Sequence, residues 1–526
     1  MKVLIFTNIF ITALFLYKYV SVCICNKIFV TSNVARMSER GRGQGRDIRR
    51  DDRGNVRGRA TGNRQRGNRN VTPMQPGVEL PQEVVFSQNY EEDEYIKVVY
   101  CKEIRPKWQI IKFDGGPRKA SRCPLFEKFG AKNFMILEFP KACPPDIVKS
   151  VVKTGLLVKV GDSLDKKLYT FFGHSPTQLR EGKCVLYNSA ELGVFEDLIA
   201  QFGEFDMKNV GKRAARIGLL LSAAVPIIDL DERQITVDRD IERGGYSFTD
   251  GCGRISPSVA WLLSDELNKQ YSTRIRFYSC KDLSCPSVFQ VRIMGCKGTL
   301  ILDPQLEDGI AIRESMRKVI WKPTGERTPL RIVDEGKGVS FPNRFGSLNT
   351  QYIRLLSALG VRDEVFLEMQ KRSFEELNRI EYDEDVQVRY LCIYERFDDA
   401  EEIIRTRKIG EEALKFLKRR RMTCMMQEQT VKDKLIPAKI NLRLPLEQSR
   451  TLYGVADPTK KLNYGTCFLC VTIRGKPKVL EGHRVVVTKS PCYHPGDIRV
   501  LTVVNLPECS HLVDCIVFPV NGIYNI

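Results

Sequence analysis

VVVTKSPCYHPGDIRVLTVVNLPECSHLVDCIVFPVNGIYNI, from Val485 to Ile526, is the stretch on which the fold turns. It opens in HRVVVTK (His483 to Lys489), a β-branched run of the kind that fits a pleated, half-buried surface. PCYHPGD (Pro491 to Asp497) follows, where two prolines and a glycine fix a tight corner. His494 in that corner reads as a buried hydrogen-bonding residue rather than a catalyst, and Asp497 and Arg499 read as supports for a neighbouring loop. Just upstream, CFLCVTI (Cys467 to Ile473) is a second β-branched run, so residues 441–526 read as strands.

Asn349 to Arg421 is helical in pattern. Asn349 and Thr350 are candidate N-caps for a helix carrying Ile353, Leu356 and Leu359, which Gly360 ends. A second helix begins near Asp363, with Val365, Phe366 and Met369. A third is expected from about Asp398 to Arg421, acidic early and closing on KRRR (Lys418 to Arg421), an order that suits the helix dipole. Arg239 to Val333 is dominated by short β-type runs punctuated by glycine, among them Phe289 to Ile293 and Thr299 to Leu302, and that pattern suggests a barrel. Gly203 to Val237 holds one helix, with Ala214, Ile217, Leu220 and Leu221 at helical spacing. Val84 to Ile199 reads as a small α+β module, with strands at Tyr95 to Cys101 and Met135 to Pro140 and a helix near Pro145 to Thr154.

The N-terminal part has a different character. Arg40 to Asn70 is arginine, glycine and asparagine with almost no apolar side chain, so the sequence predicts disorder there. Such tracts hold RNA through phosphate contacts and guanidinium stacking, and Arg42, Arg57 and Arg59 are candidate contacts. Met1 to Val30 resembles a signal peptide, but Lys18 breaks the apolar run and no clear cleavage site follows. A mis-assigned upstream start is the favoured reading, with a second start at Met37.

The formal charge is +19, which favours a polyanionic partner. The 17 cysteines are odd in number and irregularly spaced, which argues against a secreted disulfide framework and for a reducing compartment, cytoplasmic or nuclear. Cys467 and Cys470 form a lone C-x-x-C with no second pair to complete a zinc site. No P-loop, Ser-His-Asp constellation or dinucleotide fingerprint is present. A membrane partner is not expected.

Several blocks, in one order, resemble the cell-encoded RNA-dependent RNA polymerases of the RNA-silencing type. They are YTFFGHSPTQLREGKCVLY (Tyr169 to Tyr187), KRAARIGLLLS (Lys212 to Ser222), SFTDGCGRISPSVA (Ser247 to Ala260), PSVFQVRIMGCKGTLILDP (Pro286 to Pro304) and IRESMRKV (Ile312 to Val319), with the C-terminal stretch quoted above. Thr177 departs from the family's Ser-x-Ser-Gln-Leu-Arg block. The resemblance implies an α+β fold with a double-psi β-barrel polymerase core. Its parts would be a leader (1–36), a disordered tail (37–80), a template-guiding module (81–200), a first barrel (201–335), a helical connector (336–430) and an incomplete second barrel (431–526). It implies RNA-directed synthesis of double-stranded or small antisense RNA from a single-stranded RNA template, with nucleoside triphosphates as substrates, Mg2+ as cofactor and silencing proteins as partners. The family's Asp-x-Asp-Gly-Asp loop does not occur in the sequence. A truncated gene and an inactive chain are therefore expected. The alternative is a non-catalytic RNA-binding protein derived from the family.

Polymerisation joins a 3′-hydroxyl to an α-phosphate and expels pyrophosphate, with two metal ions about 4 Å apart on a carboxylate cluster. Cations must face the triphosphate. Lys297 lies between Gly295 and Gly298, where bare backbone leaves it free to reach a phosphate. Arg254 follows the turn Asp250-Gly251-Cys252-Gly253, and Arg317 and Lys318 add a further pair. By resemblance the first barrel's cations face the metal site, and Lys297 and Arg254 match those positions. Asp250 reads as a turn cap rather than a metal ligand. Arg216, beside alanines on an apolar helix, reads equally as an ion-pair partner or an RNA contact. The acidic runs at 229–232, 383–385 and 398–399 read as solvated or capping groups.

Overall fold

A computed structural model describes residues 2–7 and 82–522, apart from 87–92, 105–106, 113–115, 161–163, 206–207, 271–284, 321–326, 334–337, 341–345, 395, 433–442, 447 and 474–475. The calls on the Arg/Gly tail, including Arg42, Arg57 and Arg59, lie outside the described residues.

The N-terminal module is a mixed sheet with strands β2 (Gln82–Phe86), β3 (Tyr95–Ile104), β4 (Lys107–Lys112), β5 (Arg118–Lys119), β6 (Phe134–Glu138), β7 (Leu156–Val160), β8 (Lys166–Gly173) and β9 (Lys183–Asn188). Their order is β2-β7-β8-β9-β6-β3-β4, with β5 on β3. The helix Pro145–Thr154 starts on a proline and stops at Gly155, whose φ of +76° and whose approach to the Tyr169 carbonyl exclude a side chain. Alternation divides the sheet's apolar residues. Val99, Met135, Leu137 and Leu186 face one core, and Ile96, Phe134, Val185 and Tyr187 face another that also takes in Ile217, Leu220 and Leu221. The helix carrying those last residues runs Val210–Ile217 and tightens into a 3-10 turn at Gly218–Leu221. Ala214, expected on its apolar face, is exposed.

The next sheet contains β10 (Ala224–Leu230), β11 (Ile235–Asp238), β14 (Cys252–Ile255), β15 (Val288–Ile293), β16 (Cys296–Leu302), β17 (Ile310–Arg313) and β18 (Thr328–Val333), with a small hairpin of β12 (Glu242–Arg243) and β13 (Tyr246–Ser247) between them. The order β10-β18-β15-β16-β14-β17-β11 mixes parallel and antiparallel pairs. The sequence reading missed one element here. Pro257–Gln270 is a helix that buries Val259, Ala260, Leu263 and Leu267 against Ile255, Phe289 and Leu300. Ser256 before Pro257 marked its start: the Ser256 hydroxyl accepts from the Val259 and Gly309 amides.

Helices then follow at Thr350–Ala358, Asp363–Asn378, Glu384–Ile393, Phe397–Thr406 and Glu411–Lys432. Asn349 caps the first, its Oδ1 accepting from the amides of Gln351 and Tyr352. The single helix expected from Asp398 to Arg421 is two, because Arg407 adopts a left-handed conformation at φ +56°. Lys418 to Arg421 therefore sit inside the last helix rather than at its end. Lys418 and Arg421 pair with Glu381, and Arg420 lies over the rings of Tyr394 and Phe416. Glu384–Ile393 was not foreseen; Asp383 caps it through the Val386 amide.

A short pair, β19 (Ser347–Asn349) with β20 (Arg443–Pro445), leads to the C-terminal sheet. It holds β21 (Ser449–Ala456), β22 (Thr466–Ile473), β23 (Lys476–Val479), β24 (Arg484–Lys489), β25 (Arg499–Val503) and β26 (Cys515–Phe518). β1 (Lys2–Thr7), from the apolar leader, joins them in the order β23-β22-β25-β24-β1-β21-β26, and β22 also pairs β26, so six strands close into a ring. Cys467 and Cys470 are both buried but belong to the apolar clusters on opposite faces of β22, which separates them as ligands. His494 is exposed, not buried. Its ring nitrogen Nδ1 accepts from the Gly496 amide across the corner, and Asp497 pairs with Lys489. No helix among the described residues is long and apolar enough to cross a membrane.

Candidate functional site

The glycine turn before β14 is a packing device. The Asp240 carboxylate accepts from the amide and hydroxyl of Ser315 and from the hydroxyl of Thr249, and the Ser315 hydroxyl in turn accepts from the Gly251 amide. The Thr299 amide donates to the Gly251 carbonyl at 2.8 Å. A Cβ on Gly298 would stand 2.4 Å from that same carbonyl, and one on Gly253 would stand 2.4 Å from the Ala311 carbonyl. Backbone thus packs on backbone, and only glycine fits. The capping role expected of Asp250 belongs to Asp240; Asp250 is exposed.

This turn supports the hairpin of β15 and β16, which reverses at Met294 and Gly295, both at positive φ. The carbonyl of Gly295 accepts from the amides of Lys318 and Val319, so the Arg317–Lys318 segment is tied to the hairpin end. Lys297 leaves β16 from the face that carries Thr299 and Ile301, opposite the core face of Leu300. Burial, with the charges of Arg292 and Lys318, lowers its pKa from the usual lysine value. Arg317 is exposed and Lys318 half-buried. Lys297, Arg317 and Lys318 are therefore brought together.

Arg254 has a different setting. Its Nε and Nη2 donate to Asp238 at 3.0 and 2.8 Å, and its Nη1 donates to Asp303 at 2.8 Å. Two carboxylates take up its charge, so its geometry is that of a strut joining β11, β14 and the end of β16. Arg216 is half-buried on the Val210–Ile217 helix, away from the hairpin in the chain.

The sequence reading did not single out Arg292. Across the ladder it stands opposite Lys297 on one side and Arg331 on the other. Its Nη1 donates to its own neighbour's carbonyl, Val291, at 2.8 Å, its Nε is buried with no hydrogen-bond partner among the described residues, and burial pulls its pKa down to about 10. Arg331 is neutralised by Glu127 from the N-terminal module. Arg292 also borders a cavity of about 310 Å3 walled by Phe202, Leu220, Met294 and Val319. The signal was present in the sequence: in PSVFQVRIMG the alternation that buries Phe289, Val291 and Ile293 puts Gln290 and Arg292 on the other face.

Among the described residues no group of three His, Cys, Asp or Glu side chains could hold a metal ion. The acidic runs are otherwise engaged. Asp231 caps the turn at Glu232–Gln234 and pairs with Arg233, and Asp399 pairs with Arg396. Asp514, a buried carboxylate just before β26, accepts from the amide and hydroxyl of Thr472, and burial raises its pKa. A magnesium pair needs several carboxylate oxygens in near-octahedral array, and no such cluster is found among the described residues.

Similarity to known proteins extends over most of the chain. The family described as RNA dependent RNA polymerase matches residues 113–526. RNA-dependent RNA polymerase 6 of Arabidopsis thaliana is 30% identical over 395 residues, 71% of this chain and 30% of that protein. Probable RNA-dependent RNA polymerase 1 of Oryza sativa subsp. japonica is 29% identical over 379 residues, 69% of this chain and 46% of that protein. The chain thus spans less than half the length of these relatives. The solved structure of the RNA dependent RNA polymerase QDE-1 from Thielavia terrestris superimposes with a TM-score of 0.57 at 18% identity, covering 85% of this chain and 54% of that one. With the family match extending over most of its length, the chain belongs to the RNA-dependent RNA polymerases.

Proposed function

We propose that this chain forms the triphosphate-facing and template-guiding part of an RNA-directed RNA polymerase of the silencing type, and that its two β-rich units are the paired double-psi barrels of that enzyme. The observation that carries this reading is Lys297. It projects from a glycine-bounded hairpin beside Arg292 and Lys318, with no carboxylate bound to it among the described ion pairs. Such a wall matches the charge that grows on a departing pyrophosphate. Single-stranded RNA is the proposed template and nucleoside triphosphates the substrates, in the cytoplasm or nucleus, alongside other silencing proteins.

The residues that would ligate Mg2+ are not in the described set, so the chain by itself is proposed to bind RNA or triphosphates without joining nucleotides. A second reading, a non-catalytic RNA-binding protein, is favoured by that same missing carboxylate cluster. Primer extension on a single-stranded RNA template tests both. Magnesium-dependent product from this chain alone would overturn the assignment of its acidic runs to caps and ion pairs. Triphosphate binding that is unchanged by Lys297→Ala would overturn the role of the hairpin.

A further inference from the structure

Two free cysteines of the N-terminal module meet without being bonded. β3 runs parallel to β6 with Tyr100 opposite Glu138, so the chain leaving β6 passes beside Cys101, the next residue of β3. It turns there, the Cys143 amide donating to the Pro140 carbonyl at 2.9 Å, and enters the helix Pro145–Thr154. Cys143 Sγ thereby lies 3.7 Å from Sγ of Cys101, 42 positions away in the chain. Both side chains belong to one apolar cluster. Their backbones are fixed independently: Cys101 is laddered to Ile110 of β4, and Pro144 confines Cys143 to extended conformations. A disulfide would bring the sulfurs from 3.7 Å to about 2.05 Å, a shift of the size that χ1 rotation supplies.

The two thiols are not equivalent. Cys101 is 3% exposed, whereas Cys143 is half-buried. Burial raises the pKa of both, Cys101 to about 12, and the hydrogen bond with Cys101 partly offsets the rise at Cys143. Cys143 is therefore the thiol that a reagent meets first, and Cys101 stands in contact behind it. Cys470 and Cys515, which also face each other across β22 and β26, lack this access because both are buried in the seam between the sheets. We propose that Cys101 and Cys143 form a reversible disulfide by exchange with a low-molecular-weight disulfide of the glutathione type. The Cys143 thiolate attacks one sulfur of the small disulfide; that S–S bond breaks, and the departing thiolate takes up the proton that Cys143 lost. Cys101 then gives up its proton and attacks Cys143 Sγ, expelling the second small thiol. Two protein thiols and one small disulfide become one protein disulfide and two small thiols, so two electrons pass from the protein to the reagent. The new bond clamps β3 to the turn that starts the helix Pro145–Thr154. The pair lies outside both β-rich units, so the site is independent of the polymerase reading.

Oxidised glutathione is the probe, added to the reduced full chain and read by peptide mass mapping under non-reducing conditions. A peptide pair joined through Cys101 and Cys143 should appear and should vanish on adding dithiothreitol, while buried Cys470 and Cys515 stay reduced. In Cys101→Ser the resolving thiol is gone, so glutathione should remain on Cys143, at roughly tenfold or more the amount found there in the wild type. In Cys143→Ser, Cys101 should stay unmodified. Cys143 is half-buried, so this second variant serves even if Cys101→Ser fails to fold. No linkage between Cys101 and Cys143 in the wild type, or equal retention of glutathione on Cys143 with and without Cys101, would overturn the proposal. Glutathione found on Cys101 of Cys143→Ser would overturn the order of attack.

Discussion

Arg292 stands directly opposite Lys297 across the β15–β16 ladder, so two cations share one face of the hairpin, and Arg331 extends the row on β18. Like charges placed opposite each other destabilise a sheet. Glu127 relieves Arg331, but among the described ion pairs none relieves Arg292.

Arg292→Met keeps the apolar stem and removes the poorly solvated charge. It should raise stability by roughly 1–3 kcal/mol, the usual cost of a buried polar group without a partner. Urea unfolding at constant pH measures this. Triphosphate binding by the same variant should weaken, a split that distinguishes a ligand-directed charge from a structural one.

Lys97 offers a pH test in the N-terminal module. It is buried in β3, its Nζ donates to the Lys132 carbonyl at 3.0 Å, and burial, with Lys167 and Lys132 nearby, lowers its pKa to about 8 from 10.5. Between those values the unfolded chain binds more protons than the folded one, so this residue's contribution makes stability rise with pH. Lys97→Met should therefore stabilise the protein at pH 7 by up to roughly 3 kcal/mol. That advantage should shrink as pH rises from about 8 toward 10. Paired denaturation curves for the two proteins across that range check it; an advantage independent of pH would refute it.

Asp240 and Asp250 flank the same turn with opposite roles. Asp240→Ala removes three hydrogen bonds and should cost about 3 kcal/mol or more, while exposed Asp250→Ala should stay within about 0.5 kcal/mol. Equal effects on the urea midpoint would contradict the assignment.

Gly298→Ala would press a methyl group to 2.4 Å from the Gly251 carbonyl and 2.8 Å from Met316 Cε. Overpacking of this kind costs about 1–3 kcal/mol. The cost should come with weaker triphosphate binding, because Lys297 precedes it on the same strand. Thermal unfolding together with a nucleotide titration reads both effects.

Local chemistry was legible in the sequence wherever a rule acts over a few residues. The Asn349 cap, the proline that opens Pro145–Thr154 and the β-branched runs at β22 and β24 were all readable, because capping and strand patterning are near-neighbour effects. What escaped depends on distance along the chain. Arg254 reads as a free cation until Asp238, 16 residues away, and Asp303, 49 residues away, close around it. The Pro257–Gln270 helix hid among glycine-rich strands because exposed Trp261 and Leu262, set beside buried Val259, Ala260 and Leu263, blur the helical period. Likewise the left-handed turn at Arg407 divides what composition presents as one helix.

Cys252, Val288 and Ile301 from the middle sheet share one apolar cluster with Tyr453, Val455 and Phe468 from the C-terminal sheet, and Ser287 bonds the His511 carbonyl and the Val513 amide across the same seam. Two units fused through a common interior act as an anvil rather than as jaws. Any opening and shutting must then be carried by parts mounted on this block, and a blow to the seam, such as Ile301→Asp, would disable both units together instead of loosening one against the other.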